Sequence, residues 1–309
     1  MCSCVAAALL SVAATGRDGI EHPGTSKPDA SLRVGTYNIR YSAGDKEDSP
    51  NAWNKRKSDM VDLIVKMNLD AFGLQEVCPN QTKYLVERMP HYAFVGEYRN
   101  ADRKSGEASP VFWRKDIFVD EGHGTFWLSE TPEIPGSKSW ASACPRVCTW
   151  VRLRDKRNGK AFCFVNTHTD HMSMRACAEG LRLILSRMKD FAPSGMPVVL
   201  TGDHNTRETW EPAKIVAAEL RNSLYISETP PAGPWRTFSG WTWKEHEAGI
   251  AEALEKPVEI RDTSFGHRID YIYVSDGVKV KSHATLGDSR PGEQLYPSDH
   301  FPVMAVIEL

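Results

Sequence analysis

Five apolar segments of this chain end in, or run straight into, side chains that bear a polar oxygen or an imidazole nitrogen. These are Asn38, Glu76, His168, Asp203 with Asn205, and Asp299 with His300. The last pair sits in YPSDHFPV, where a serine and two prolines hold an acid and an imidazole in a turn. Carboxylates and amide oxygens are hard ligands, suited to Mg²⁺ or Mn²⁺ rather than zinc. A phosphoryl group in transfer needs its growing negative charge balanced by metal and by hydrogen-bond donors, and two histidines can supply the donors. A carboxylate left free of metal can align and deprotonate water. Taken singly, each residue has a plainer explanation: a capping Asn, an exposed Glu, a satisfied core His. A shared site for a metal-assisted cleavage of a phosphate ester explains all of them together.

The elements that must position these groups follow from periodicity. Residues 32–39 (LRVGTYNI) alternate and read as a strand ending at Asn38. Residues 52–68 turn helical, with Met60, Leu63, Ile64 and Met67 on one face. A buried strand over 71–74 delivers Gln75 and Glu76, and Pro79 opens a helix to about 88. Strands are expected over 92–95, 109–113, 147–153 and 161–165, with a Pro/Gly/Ser loop between the second and third. A helix over 173–191 precedes a buried strand, 197–200, that runs into TGDHNT. Residues 208–221 look helical, 229–259 irregular and Trp-rich, and 269–274 and 278–281 extended. Val303, Val306 and Ile307 mark a closing strand. Strands alternate with helices first and pair with one another later, which predicts a layered α/β domain with ligands at the strand ends.

Composition narrows the function. With 309 residues, 41% apolar and 25% charged, the chain is of ordinary globular type with ample core. A formal net charge of −2 supplies no global basic face for nucleic acid. Cys144 and Cys148 would lie about 13 Å apart along one strand face, too far to bond each other, so free thiols are expected. Residues 1–30 read as leader and linker, with an apolar run at 5–12 and small residues, Val12 and Ala14, at a cleavage-like spacing. No Lys or Arg precedes the run. Export to the periplasm or beyond is expected if the run is a signal peptide, and a cytoplasmic protein otherwise. The run is too short to span a bilayer.

The motifs YNIR, LQE, NTHTDH, TGDHNT, HRIDYIYV and PSDHFPV occur in this order. From residue 32 to 309 the chain resembles the endonuclease/exonuclease/phosphatase superfamily. That resemblance implies a four-layer α/β/β/α sandwich of two packed mixed sheets flanked by helices, forming a catalytic domain over 31–309. It implies Glu76 as the main ligand of Mg²⁺ (or Mn²⁺), one or two ions, with Asn38 and Asp299 beside the metal. His168 would bind a phosphate oxygen, Asp203 would activate water, and Asn205 would hold water and phosphate. Asp270 would orient His300, and His300 would stabilise the pentavalent phosphate during in-line attack. One departure is His204, where the family usually has Phe; alternation turns it away from its neighbours' face, as a packing substitute. The segments around Trp53 and Arg56, Arg146, and Thr237 with Phe238 resemble a bacterial, often exported branch.

The rim is read from the residues themselves. The charged loop 97–107 brings Arg99 and Glu107, and Arg146 joins them as a phosphate-gripping candidate. Phe238, Trp241 and Trp243 could stack on a base or sugar, or simply pack under a long loop. His171 either supports His168 or is solvated. The expected substrate is a phosphorylated small molecule or diester, such as a phosphosugar, a nucleotide or a lipid headgroup. A nuclease with the same chemistry is the alternative, and it would show steep salt dependence. A non-catalytic binding protein would require a missing central residue, and none is missing. No apolar hairpin suggests membrane docking, and a monomer is expected.

Overall fold

The structure is a computed structural model and describes residues 31–242, 248–287 and 295–309. The leader 1–30 and Trp243 lie outside the described residues.

Strand alternation sets the architecture. In β1 (Ser31–Asn38), Leu32 and Val34 point into the space between two sheets, while Tyr37 turns to the outer helices. Asn38 is on the same side as Leu32 and Val34, because side chains repeat every two residues. After α1 (Trp53–Met67), β2 (Ala71–Gln75) runs parallel to β1, with Ala71, Gly73 and Gln75 inward and Phe72 and Leu74 outward. Next come α2 (Pro79–Arg88), β3 (Tyr92–Val95), β4 (Val111–Arg114), β5 (Phe118–Trp127), β6 (Val147–Asp155) and β7 (Ala161–His168). The chain continues through α3 (Met174–Phe191), β8 (Val198–Asp203), α4 (Glu211–Ala217) and β9 (Arg221–Asn222). It closes with α5 (Ile250–Leu254), α6 (Val258–Ser264), β10 (Asp270–Val274), β11 (Lys279–Thr285) and β12 (Val303–Glu308).

Two six-stranded mixed sheets result, ordered β11-β12-β1-β2-β4-β3 and β5-β6-β7-β8-β10-β9. Leu32, Val34, Phe162, Phe164, Val199 and Ile272 fill the space between them. Each such side chain stabilises the fold by roughly 1.5–3 kcal/mol when fully buried. Helices α1 and α2 cover the first sheet around Met60, Ile64, Leu85 and Phe72. Helices α3 and α4 cover the second around Leu181, Ile184, Val216 and Leu200. Ser173 caps α3 by accepting the Ala176 N–H at 3.1 Å, worth about 1 kcal/mol. This is the expected α/β/β/α sandwich. Among the described residues no helix is long and apolar enough to cross a membrane.

The space between the sheets changes character along the strands. It is apolar at one end and polar at the other, with a hydrogen-bonded layer between. Gln75 Nε2 donates to Thr36 Oγ1 at 2.9 Å and to Asn166 Oδ1 at 2.7 Å. Asn166 Nδ2 donates to the Leu74 and Pro110 carbonyls, and Thr201 Oγ1 donates to Asn166 Oδ1. Gly73 makes room for this: any Cβ there would collide with the Asn166 amide.

Three sequence expectations need correction. The loop expected between 113 and 147 contains β5, an edge strand whose glycines, charges and bulge between Asp120 and His123 mask the apolar alternation. The helix expected over 208–221 shrinks to α4, because Arg221 and Asn222 pair with β10 instead. The irregular stretch 229–259 contains α5 and the start of α6. The cysteines at 78, 144, 148, 163 and 177 are free thiols.

Candidate active site

Strand direction explains how residues so far apart in sequence meet. Parallel strands β1 and β2, and parallel strands β7 and β8, present their C-terminal ends at the same edge of the sandwich. Antiparallel β10 and β12 present their beginnings there. Register then fixes a row: His168 stands opposite Asp203, and Asp203 opposite Asp270, all on inward faces. In the first sheet Thr36 pairs with Val303, so the residues before β12, Asp299 and His300, fall beside Asn38.

Hydrogen bonds join the row into one network. Asn38 Nδ2 donates to Asp203 Oδ2 at 2.9 Å and to Glu76 Oε1 at 3.2 Å. The Asn205 backbone N–H donates to Asp203 Oδ1 at 2.9 Å. His300 Nδ1 lies 2.9 Å from Asp270 Oδ2, and its Nε2 lies 3.7 Å from Asp203 Oδ2. His168 Nε2 lies 3.4 Å from the same Asp203 oxygen and 3.0 Å from Asn205 Nδ2. Asn205 Nδ2 also donates to the Thr169 carbonyl at 3.1 Å, which identifies that atom as the amide nitrogen. Thr237 Oγ1 takes the backbone N–H groups of Ile269 and Asp270, fixing the start of β10.

Glu76, Arg40 and Asn205 all have positive φ, at 63°, 58° and 45°. Asn tolerates this conformation; Glu and Arg hold it at a cost of order 1–3 kcal/mol. The turn aims Glu76 back across the strand ends, where its Oε2 accepts the Tyr41 N–H at 2.8 Å. The Arg40 guanidinium lies 3.7 Å from both Glu76 and Asp299, so one cation is within ion-pair reach of both carboxylates.

Burial and charge set the protonation states. Burial and the nearby Asp270 carboxylate push Asp203 up to about 7, against the pull of His300 and the hydrogen bond from Asn38. Burial alone would lower His300, but Asp270 and Asp203 outweigh it and raise the imidazole to about 10. His300 is therefore an imidazolium at neutral pH. His168 goes the other way. Burial, reinforced by Arg146 and Arg99, holds it well below its ordinary range. It is neutral, with Nε2 accepting from Asn205. Burial raises Asp299, against the pull of His300.

Of the rim candidates, Arg99, Glu107 and Arg146 meet beside His168. Arg99 NH1 donates to Glu107 Oε2 at 2.6 Å, and Arg146 NH1 lies 4.0 Å from the same oxygen. These three, with Ser109, Val147 and His168, line a small cavity of about 10 Å³. His171 Nδ1 lies 2.9 Å from Arg146 NH2, so it faces the arginine and not His168. Phe238 packs its ring edge-on against His300 at 5.0 Å, and its backbone pairs with that residue. Trp241 is half-buried, its ring 5.5 Å from the Arg56 guanidinium. His204 is fully buried and stacks on Tyr273 with ring centroids 5.7 Å apart; neither ring nitrogen has a hydrogen-bond partner.

Two sets of donors could hold a cation. Asp203, Asp270 and His300 each offer an atom within 4.8 Å of the others. In that trio the charges already compensate one another, and a cation would face an imidazolium. Glu76 and Asp299 offer a second set, of carboxylate oxygens alone, which the single Arg40 guanidinium 3.7 Å from each leaves with net negative charge. Sequence reasoning did not single out Arg40, Gln75 or Asn166 for the site. The signal available for Gln75 and Asn166 was their polarity at inward positions of otherwise apolar strands.

Comparison with known proteins agrees with the fold. The family model described as Endonuclease/Exonuclease/phosphatase family matches residues 35–300. The mannosyl-6-phosphatase of Bacteroides thetaiotaomicron is 31% identical, with a TM-score of 0.79 over 90% of this chain and 100% of that one. The human nocturnin catalytic domain with bound sulfate anion shares the fold at 19% identity and a TM-score of 0.65, covering 90% of this chain and 93% of that one. Among curated proteins, nocturnin of Drosophila melanogaster is 24% identical over 298 residues, 83% of this chain. The chain spans only 42% of that relative's length. The match over most of its length shows that this chain belongs to the endonuclease/exonuclease/phosphatase family, whose members hydrolyse phosphoester bonds.

Proposed function

We propose that this chain is a metal-dependent phosphoesterase that hydrolyses a small phosphorylated substrate, such as a phosphosugar, a nucleotide or a lipid headgroup, by in-line attack of water. The observation that carries this reading is the pairing of Asp203 with His300. A buried carboxylate poised near 7 stands beside an imidazole kept charged to about 10. Such a pair separates base from electrophile at neutral pH, which acid–base catalysis requires.

Asp203 takes the proton of the attacking water. Its carboxylate is aligned by the Asn38 side chain and the Asn205 backbone. The amide nitrogen of Asn205 is engaged by His168 and Thr169, so its oxygen is the atom left to orient that water. His300 donates from Nε2 to the phosphoryl oxygens as charge grows on them, while Asp270 holds its Nδ1–H. His168 is neutral and keeps Asn205 in place. Glu76 and Asp299, with Asn38 beside them, would hold Mg²⁺ or Mn²⁺; when bound, the ion neutralises phosphoryl charge as a Lewis acid.

The mannosyl-6-phosphatase among the similar structures supports a small phosphorylated substrate. A net charge of −2 argues against a broad basic face for nucleic acid. A substrate panel with Mg²⁺ and Mn²⁺ tests the reading: nitrophenyl mono- and diesters, phosphosugars, nucleotides, phospholipid headgroups and plasmid DNA. Metal-dependent turnover of the small esters is expected. Turnover confined to DNA, falling steeply between low and moderate salt, would establish the nuclease instead.

A further inference from the structure

We propose that Arg146 and Arg99 form an anion subsite that seats a terminal oxygen of a phosphate monoester and leaves no room for the second ester arm of a diester. The proposal rests on the phosphoesterase reading above and narrows its substrate class to monoesters.

Arg146 immediately precedes β6 and is only 5% exposed. A guanidinium carries five N–H donors, and a buried one left without acceptors is costly. Here NH2 meets His171 Nδ1 at 2.9 Å, while Nε is buried with no hydrogen-bond partner among the described residues and NH1 comes no nearer than 4.0 Å to Glu107. The neighbouring acids do not make up the difference. Glu107 is bound at 2.6 Å by Arg99. Asp170 lies 4.0 Å from Arg146 Nε, but its oxygens already accept the N–H groups of Ala143, Met172 and Ser173 and the Ser142 hydroxyl. Two guanidiniums thus share one carboxylate at a cavity that also touches His168.

The position of Arg99 is set by its backbone. Its N–H donates to the Glu107 carbonyl at 2.9 Å, and its carbonyl accepts the Trp127 indole N–H at 2.6 Å. Guanidinium geometry matches phosphoryl oxygens. The cavity, about 10 Å³, has room for about one water-sized group, far below the roughly 300–1,000 Å³ of sites that enclose a whole small molecule. It accommodates one phosphoryl oxygen and not a nucleoside or sugar on the far side of the phosphorus.

The test uses the full chain in Mg²⁺ and pairs a binding measurement with a kinetic one. Calorimetry compares methyl phosphate with dimethyl phosphate, and kinetics compares nitrophenyl phosphate with bis-nitrophenyl phosphate. Wild type should bind methyl phosphate at least about 10-fold more tightly, the scale of one charge-assisted hydrogen bond. Arg146→Gln should bring the two ligands within about 3-fold of each other. Arg99→Gln, at a less buried position, should move the ratio the same way, and Arg146→Lys should restore part of it. Equal binding of both ligands by wild type, or equal weakening of both in the variants, overturns the subsite. Tight methyl phosphate binding without hydrolysis of either ester would uphold the subsite and defeat the catalytic reading. Efficient diester cleavage with no monoester preference would do the reverse.

Discussion

The Ser298 hydroxyl donates to the Asn38 carbonyl at 2.7 Å, joining two positions 260 residues apart in sequence. Arg56 reinforces the junction from below. Its guanidinium donates to the carbonyls of Ile39, Arg40 and Pro297 at 2.6, 2.8 and 3.1 Å. These bonds hold the end of β1 against the loop that carries Asp299 and His300, so the two halves of the site form as a unit. Ser298→Ala should cost about 0.5–1.5 kcal/mol in urea denaturation, the net worth of one buried hydrogen bond, and should lower kcat as Asp299 loosens. Full stability and full activity together would show that the junction does not support the site.

The protonation states predict a bell-shaped dependence of kcat/KM on pH. Activity should rise near pH 7 as Asp203 loses its proton and fall near pH 10 as His300 loses its own. Asp270→Asn removes the carboxylate that holds His300 charged, so the alkaline limb should move toward neutrality. The sign for stability follows from linkage. His300 is raised in the folded state, so the stability it gains from Asp270 is present below about pH 6.5 and lost as pH rises through about 10. An alkaline limb unmoved by the substitution would assign it to another group.

Asp203→Asn should lose at least about 100-fold in kcat, the scale of a positioned acid–base group, and should lose the limb near pH 7 with it. A mild loss measured with the same nitrophenyl ester would place the base elsewhere.

His204 makes a prediction about stability alone. Burial lowers it to about 3, so it is neutral, and a neutral imidazole still carries one N–H that here has no acceptor. His204→Phe keeps the ring against Tyr273 and removes that donor. Thermal or urea unfolding should show a gain of about 1–3 kcal/mol. A loss would mean that the imidazole has a partner role in the core.

Much of this was legible in the sequence because strand alternation and strand order are local signals. The pattern that puts Leu32 and Val34 inside also puts Asn38 inside, and the same rule works for Asp203 and Asp270. What could not be read were side-chain relationships between strands distant in sequence. Nothing in one sequence says that Gly73 must lack a side chain to admit Asn166, or that Arg40 faces both Glu76 and Asp299. Edge strand β5 escaped because glycines and charges interrupt its apolar alternation and its register shifts at a bulge. Nor does the sequence say that burial holds His168 neutral against Asn205.

Metal-dependent hydrolysis at the Glu76 site is tested most directly by titrating Mg²⁺ into wild type and Glu76→Gln. Nitrophenyl phosphate turnover and calorimetric Mg²⁺ binding would be followed together. Wild type should show saturable activation that tracks binding, and chelation should abolish it. The variant should stay folded, bind Mg²⁺ at least about 10-fold more weakly and lose metal-dependent turnover. Unchanged binding and unchanged turnover in the variant would contradict the account.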